Sequence, residues 1–217
     1  MGRVVGVSGR LATFGASVDA DVMATDVDDL GLDGTRAAVR TPVGSMSVTT
    51  PLLGRGNLAN VLAAVTVALQ LQISPTEAAA RVAAVGAPPG RGQIHRLARG
   101  VLVVDDSYNA NPLAVKTALQ AVAVDRRQGR RVAVLGEMLE LGRRADALHR
   151  DTGRAVAAAG FGLLVTVGGA FAKALGEAAV EAGLAADSVK HYDDSNAAAT
   201  SLAGLLRNDD LVLIKGS

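Results

Sequence analysis

Short apolar runs and longer amphipathic stretches alternate along the second half of the chain. From Gly100 onward, the apolar runs predict strands at 101–104, 131–135, 163–167, 189–192 and 211–214, and the stretches between them predict helices at 113–124, 145–159, 170–182 and 195–206. Strands that alternate with helices are typical of right-handed βαβ crossovers. The pattern therefore predicts an α/β, Rossmann-like domain with a mostly parallel sheet and helices on both faces.

The first half has a different pattern. Short β-branched runs at 4–7, 11–14, 21–24, 35–39 and 46–49 are separated by turn residues at 33–34 and 42–44, which predicts a small antiparallel section. Two helices follow, one at 61–71 and one that Ser74 caps and that reaches about Val85. Pro88-Pro89-Gly90 ends this part, so we expect a partial α/β domain over residues 1–92 and a second domain over residues 93–217.

Composition excludes several classes of protein. The chain has 217 residues, a net charge of +1 and no cysteine. A near-neutral charge without a basic stripe argues against nucleic acid as a partner. No apolar run reaches the roughly 20 residues that cross a membrane, and the lack of cysteine suits a reducing cytoplasm. We expect a cytoplasmic protein with no nucleic-acid or membrane partner; the oligomeric state is open, with a monomer as the default.

The strand predicted at 101–104 ends in a polar cluster, Asp-Asp-Ser-Tyr-Asn-Ala-Asn-Pro at 105–112. Open α/β sheets bind ligands beyond the carboxyl ends of their strands, so the cluster is a candidate site. Asp106 offers a carboxylate that suits ribose hydroxyls, and Asn109 and Asn111 offer amides that suit a base edge. A metal site or a carboxylate dyad at Asp105 and Asp106 would need further ligands that the sequence does not supply.

Several motifs together resemble the Mur ligase family. They are the cluster at 105–112, Val-Leu-Gly-Glu-Met-Leu-Glu-Leu-Gly at 134–142 and Lys-Gly-Ser at 215–217. The order and spacing resemble the branch of the family that joins D-alanyl-D-alanine to UDP-MurNAc-tripeptide. The resemblance runs from about Gly54 to Ser217 and implies ATP as cofactor, with Mg²⁺ ligands in a part of the family's chain that precedes this sequence.

The resemblance also implies roles for individual residues. Asn57 and Asn60, in a Gly-x-x-Asn-x-x-Asn motif with Gly56 where histidine is usual, would bind adenine; the alternative for Asn57 is a helix cap. Arg91 would act as the catalytic residue that reaches the transferred phosphate. Asp106 would bind ribose, with Asn109 and Asn111 beside the nucleotide. Lys215 and Glu137 would face D-alanyl-D-alanine, and no metal ligand is assigned.

The motifs that carry phosphate chemistry in the family are not in this sequence. There is no Gly-x-x-Gly-Lys-Thr loop, so we expect a fragment that covers the end of the central domain and nearly all of the C-terminal domain. We predict that this chain alone has no ligase activity. The alternatives are a non-catalytic, degenerate binding module and a ligase like folylpolyglutamate synthase.

Overall fold

The computed structural model describes residues 11–16 and 19–217, and the strand predicted at 4–7 lies outside them. Two sheets and six α-helices are formed by these residues. The strands and helices are, in chain order, β1 (Phe14–Gly15), β2 (Val22–Asp29), β3 (Thr35–Thr41), β4 (Gly44–Thr50), α1 (Gly54–Gln70), α2 (Pro75–Ala83), β5 (Gln93–Arg96), β6 (Leu102–Asp105), α3 (Pro112–Ala123), β7 (Arg131–Gly136), α4 (Ala145–Ala158), β8 (Leu163–Val167), α5 (Ala170–Glu181), β9 (Val189–Tyr192), α6 (Ser195–Leu205) and β10 (Leu211–Lys215).

The first sheet has four strands in the order β1-β2-β3-β4. The predicted antiparallel section is confirmed for β2, β3 and β4, whereas the short β1 pairs in parallel with β2. Strand β2 is longer than predicted and reaches Asp29 through an irregularity between Thr25 and Asp28. The sequence hid this extension because its last residues are mostly polar and point partly to solvent.

Helices α1 and α2 pack on this sheet. Val61, Leu62 and Val65 of α1 form a buried cluster with strand residues such as Val39 and Val48. Helix α1 begins at Gly54, seven residues before the predicted start at 61, because the Gly-Arg-Gly stretch reads as a loop but enters the first turn. The Oγ of Ser74 accepts a hydrogen bond from the Glu77 backbone N–H, as its predicted capping role requires.

The second sheet has six strands in the order β5-β6-β10-β7-β8-β9. All neighbouring pairs are parallel except β5 and β6, so the predicted mostly parallel Rossmann-like sheet is confirmed. The antiparallel edge strand β5 was not predicted, because Gln93–Arg96 contains one apolar residue and lies partly exposed. The division between residues 92 and 93 stays a prediction, and it falls at the start of this strand.

Helices cover both faces of this sheet. Helices α3, α4 and α5 pack on one face through residues such as Leu119, Val156 and Leu175, and α6 packs on the other through Ala198 and Leu202. Helices α4 and α5 approach closely at Gly153, where an added Cβ would lie 2.0 Å from the Leu175 carbonyl oxygen. Only glycine permits this approach, because that oxygen belongs to the backbone and cannot rotate away.

The turn at Gly31–Asp33 packs against the part of the chain that forms the second sheet. The Leu32 side chain enters the core under α3, and its backbone N–H donates to Asp125 Oδ2 at 2.7 Å. Arg127 binds both Asp125 and Asp33. Burial alone would lower the pKa of Arg127, but its hydrogen bond to Asp33 and the charges of both carboxylates raise it above the ordinary value. The two halves are therefore held together near the end of α3 by one network, which is buried at Asp125 and exposed at Asp33.

Candidate functional site

Two crevices open near the carboxyl edge of the six-stranded sheet. The first, here called the hinge crevice, lies between α1, Arg91 and α3 and has a volume of about 360 Å³. Its floor is apolar, and its polar lining residues are Asn57, Asn60, Arg91, Asp106, Asn111 and Thr117. Five of the six residues predicted from sequence to contact the nucleotide thus share one crevice. They come from three separate segments of the chain.

Helix α1 supplies the two asparagines. Its N-cap is Leu53, so the alternative in which Asn57 caps the helix is wrong. The Asn57 Nδ2 instead donates to the Leu53 carbonyl at 2.9 Å, and its Oδ1 accepts from Asn60 Nδ2 at 3.4 Å. This second bond is long and exposed, so it leaves the Asn60 carboxamide available to a ligand. The absence of a side chain at Gly56 keeps the crevice open beside them, since an added Cβ would contact nothing within 4 Å.

Arg91 is held between two glycines with positive φ, Gly90 at +69° and Gly92 at +79°. The backbone on both sides is fixed: the Tyr108 N–H donates to the Gly90 carbonyl at 2.9 Å, and the Gly92 N–H donates to the Asp105 carbonyl at 2.8 Å. The Arg91 guanidinium lies over the Tyr108 ring, 4.0 Å from its centroid. Backbone and side chain together aim a permanent positive charge at the hinge crevice.

Asp106 lies at the end of β6, beside Lys215 at the end of β10. The Lys215 Nζ is 2.5 Å from Asp106 Oδ2, and it also donates to the carbonyl oxygens of Asn109 and Asp106. Lys215 is buried, although the sequence predicted a residue that faces D-alanyl-D-alanine. That substrate role stays a prediction, and the contacts that the structure gives Lys215 are to the polar cluster itself.

The two asparagines of the polar cluster have different environments. Asn111 lines the hinge crevice and caps α3, where its Oδ1 accepts from the Ala114 N–H at 2.9 Å. Asn109 is exposed and does not line this crevice; its Oδ1 accepts from the N–H of Ala110, and its carbonyl accepts from Lys215. Asn109 therefore supports the shape of the loop, and its place beside the nucleotide stays a prediction.

The second crevice, here called the sheet-edge crevice, has a volume of about 570 Å³ and lies between the ends of β7, β8 and β10 and helix α6. It is lined by apolar residues of the sheet and of α6 and by a polar group that comprises Ser107, Glu137, Asp193, Asp194, Ser195, Lys215 and Ser217. Gly136 and Gly216 are at its base and approach so closely that a Cβ on Gly136 would lie 3.2 Å from the Gly216 Cα.

Glu137 extends from β7 to the start of α5. Its Oε1 accepts hydrogen bonds from the backbone N–H groups of Phe171 and Ala172 at 2.9 and 3.1 Å, and Gly168 makes room for its side chain. A carboxylate at a helix N-terminus is stabilised by the helix dipole. Glu137 thus has a structural partner in addition to its place on the crevice.

The buried His149 holds the loop that follows Glu137. Its Nε2 accepts from the Met138 N–H at 2.9 Å, and its Nδ1 lies 2.7 Å from the Ala145 carbonyl, which fixes the proton on Nδ1. The ring also stacks on Phe171, at 5.5 Å between centroids. His149 is therefore structural, and within the described residues no group of three or more His, Cys, Asp or Glu side chains could hold a metal ion.

Sequence reasoning missed two features of the site. Tyr108 was given no role, because nothing in the sequence relates it to Arg91, 17 positions earlier. The Asp193-Asp194-Ser195 end of β9 was also missed, although Asp194 caps α6 by accepting from the N–H groups of Asn196 and Ala197. That capping pattern, at the carboxyl end of a predicted strand, was the available signal.

None of the helices described could span a bilayer.

The donors around the hinge crevice suit a nucleotide. Carboxamides at Asn57 and Asn60 can read a base edge, a carboxylate at Asp106 can accept from hydroxyls, and the guanidinium of Arg91 can bind phosphate. An apolar floor formed by residues such as Leu53 and Val104 complements a planar base. By contrast, the described residues give Mg²⁺ no cluster of carboxylates.

Comparisons with known proteins identify the family to which the chain belongs. Residues 90–217 match the family model "Mur ligase, glutamate ligase domain". The chain is 34% identical over 203 residues to the UDP-N-acetylmuramoyl-tripeptide--D-alanyl-D-alanine ligase of Escherichia coli, covering 93% of this chain and 42% of that protein. The chain therefore spans less than half the length of this curated relative.

Solved structures are similar over nearly the whole chain. MurF from Acinetobacter baumannii superposes with a TM-score of 0.81 at 30% identity, covering 95% of this chain and 44% of that one. MurF from Thermotoga maritima in complex with ADP gives a TM-score of 0.74 at 26% identity, covering 94% and 44%. A folylpolyglutamate synthase from Mycobacterium tuberculosis, with a TM-score of 0.63 at 23% identity over 92% and 46%, shares the fold alone.

The family match covers more than half of the chain, and the curated relative carries the same name as the branch that the motifs resemble. The resemblance drawn from the motifs at 105–112, 134–142 and 215–217 is thereby confirmed. The chain belongs to the Mur ligase family.

Proposed function

We propose that this chain forms the adenosine-binding and D-alanyl-D-alanine-binding part of a cytoplasmic, ATP-dependent ligase that joins D-alanyl-D-alanine to UDP-MurNAc-tripeptide in peptidoglycan precursor synthesis. The observation that carries the proposal is the hinge crevice, because it unites Asn60, Arg91 and Asp106 from distant segments. The names of the curated relatives support the choice of substrates.

Different residues of the hinge crevice would bind different parts of the nucleotide. Asn60, supported by Asn57, would bind the adenine edge, because a carboxamide both donates and accepts. Asp106 would accept from the ribose hydroxyls through the oxygen that Lys215 leaves free. Since the Oδ1 of Asn111 already caps α3, it would contact the ligand through its amide nitrogen.

ATP, when bound, supplies the phosphoryl group that activates the substrate carboxylate as an acyl phosphate. Arg91 would act on that group, because a guanidinium binds phosphate oxygens bidentately and keeps its charge at every physiological pH. The Tyr108 ring beneath it would keep the guanidinium extended toward the crevice. Mg²⁺ ligands would come from outside the residues that the structure describes.

The sheet-edge crevice would take D-alanyl-D-alanine. Its apolar walls, which include Val134 and Val167, suit methyl groups, and the carboxylate of Glu137 would pair with the dipeptide ammonium group. The two crevices lie on either side of the Asp106–Lys215 pair, so the nucleotide and the dipeptide would bind as neighbours. The protein would act as a monomer without nucleic-acid or membrane partners.

Calorimetry on the purified 217-residue chain tests the proposal. A non-hydrolysable ATP analogue should bind, and Asn60→Ala should weaken it on the order of tenfold through loss of a bidentate contact. Asn196→Ala, which removes an exposed asparagine on α6, is the matched control and should leave the affinity unchanged. Failure of both the analogue and D-alanyl-D-alanine to bind would contradict the proposal.

A second candidate function is a binding module that has lost ATP turnover. The glycine at position 56, where histidine is usual in the family motif, favours such a binding module. A turnover assay with ATP, UDP-MurNAc-tripeptide and D-alanyl-D-alanine should detect no amide formation by the chain alone. Restored turnover on addition of a separately expressed P-loop-containing segment would favour the ligase, whereas ligand binding without any restoration would favour the module.

A further inference from the structure

One ion pair lies in the wall between the two crevices. Asp106 lines the hinge crevice and Lys215 lines the sheet-edge crevice, and their side chains meet at 2.5 Å. The strands that carry them are neighbours in the sheet, and the Asp106 N–H donates to the Ile214 carbonyl at 2.9 Å. The position of the Asp106 carboxylate is therefore set by both the backbone and the side chain of β10.

The hydrogen-bonding capacity of Lys215 is already used within the protein. An ammonium group has three N–H donors, and Lys215 has three acceptors: Asp106 Oδ2, the Asn109 carbonyl at 2.9 Å and the Asp106 carbonyl at 3.3 Å. Its side chain is 3% exposed. A dipeptide carboxylate in the sheet-edge crevice would have to displace one of these internal acceptors to bind it.

Asp106 differs from its partner. Its side chain is 26% exposed and has one oxygen bound to Lys215. A carboxylate accepts at both oxygens, so the second oxygen can accept from a ligand while the first stays fixed. The pair therefore has an inner, buried cation and an outer, accessible anion that faces the hinge crevice.

We propose that Lys215 is a positioning residue for the hinge crevice: it holds the Asp106 carboxylate and the backbone of residues 106–109 in the conformation that accepts a ribose. This inference rests on the proposed nucleotide site and reassigns Lys215 from the dipeptide to the nucleotide. Removing the ammonium would leave a partly buried carboxylate and two carbonyl oxygens without their donor.

A double-mutant cycle measures this role. In calorimetry with a non-hydrolysable ATP analogue, Lys215→Met and Asp106→Asn should each weaken binding on the order of tenfold, and the double variant should be no weaker than Asp106→Asn alone. D-alanyl-D-alanine affinity should fall much less than nucleotide affinity in Lys215→Met. Lys173→Met, which removes an exposed lysine on α5, is the matched control. Lower dipeptide affinity with unchanged nucleotide affinity would overturn the proposal.

Two further measurements do not depend on nucleotide binding. Hydrogen exchange of residues 106–111 should rise in Lys215→Met but not in Lys173→Met. In the unmutated chain, the Lys215 ammonium protons should give a protected NMR resonance, and Asp106→Asn should abolish it even if Lys215→Met does not fold. If the wild-type chain binds no ATP analogue, the proposed function fails, and these two measurements still decide the positioning role: unchanged exchange and an unchanged resonance would refute it.

Discussion

The guanidinium carbon of Arg91 lies 4.0 Å from the centroid of the Tyr108 ring. Tyr108 is 66% exposed, so this contact and not burial explains the position of the ring. Its backbone N–H also donates to Gly90, next to Arg91 in the chain. Tyr108 therefore supports both the main chain and the side chain of the residue proposed to act on phosphate.

Replacing the ring should weaken nucleotide binding modestly. A cation–π contact at an exposed site contributes about 0.5–1 kcal/mol, so Tyr108→Ala should lower the affinity for an ATP analogue about two- to fivefold. Tyr108→Phe keeps the ring and should bind as well as the unmutated chain. Calorimetry compares the three proteins, and equal affinities would mean that Arg91 does not need the ring.

Glu137 offers a way to separate structural from substrate roles. Glu137→Gln keeps an oxygen that can accept from the N–H groups of Phe171 and Ala172, whereas Glu137→Ala removes it and should cost about 1 kcal/mol in the free energy of unfolding. Both variants lose the negative charge, so both should bind D-alanyl-D-alanine more weakly. Urea unfolding and calorimetry give the two quantities. If Glu137→Gln binds the dipeptide normally, Glu137 has no role in dipeptide binding and acts only through its contact with the start of α5.

Asp125 should be the strongest electrostatic contributor to the joint between the two sheets. Asp125→Ala leaves the buried Leu32 N–H without an acceptor and Arg127 without its inner partner, which should cost about 3–5 kcal/mol in unfolding free energy. The control is Asp33→Ala, which breaks the exposed ion pair with the same arginine and should cost less than about 1 kcal/mol. Similar losses in the two variants, measured by denaturant unfolding, would contradict the assignment.

The contact between α4 and α5 can be tested with two glycines. A methyl group on Gly153 would overlap the Leu175 carbonyl, so Gly153→Ala should destabilise the protein by about 1–3 kcal/mol. Gly204 lies in α6 with nothing within 4 Å of an added Cβ, so Gly204→Ala should stabilise it, by up to about 1 kcal/mol. Opposite shifts of the unfolding midpoint are the expected result, and a neutral Gly153→Ala would show that the helices can separate at little cost.

The sequence predicted best those parts of the fold whose signal is local. Strand β8, Leu163–Val167, is almost entirely buried and apolar apart from Thr166, and its bounds were predicted correctly. Strand β5 was missed because an edge strand needs little apolar surface. The start of α1 was misplaced because Gly54 and Gly56 resemble a loop, although both lie in the first turn of the helix.

The site was predictable as a set of residues but not as a network. The position of Asp106 after a buried strand, together with the motif resemblance, identified the hinge crevice. The partner of Asp106 is Lys215, 109 positions later, and no local pattern encodes a pair at that separation. Lys215 was consequently given a partner outside the protein, when its hydrogen bonds in the structure are internal.

The backbone bonds that pin Gly90 and Gly92 to the β6 loop make Arg91 a rigid extension of the second sheet, whereas Asn60 travels with α1 and the first. A rotation of the first sheet relative to the second would consequently change the distance from Asn60 to Arg91. The distance from Arg91 to Asp106 would stay the same. A nucleotide bound to Asn60, Arg91 and Asp106 would link the two halves and would resist such rotation while it stayed bound.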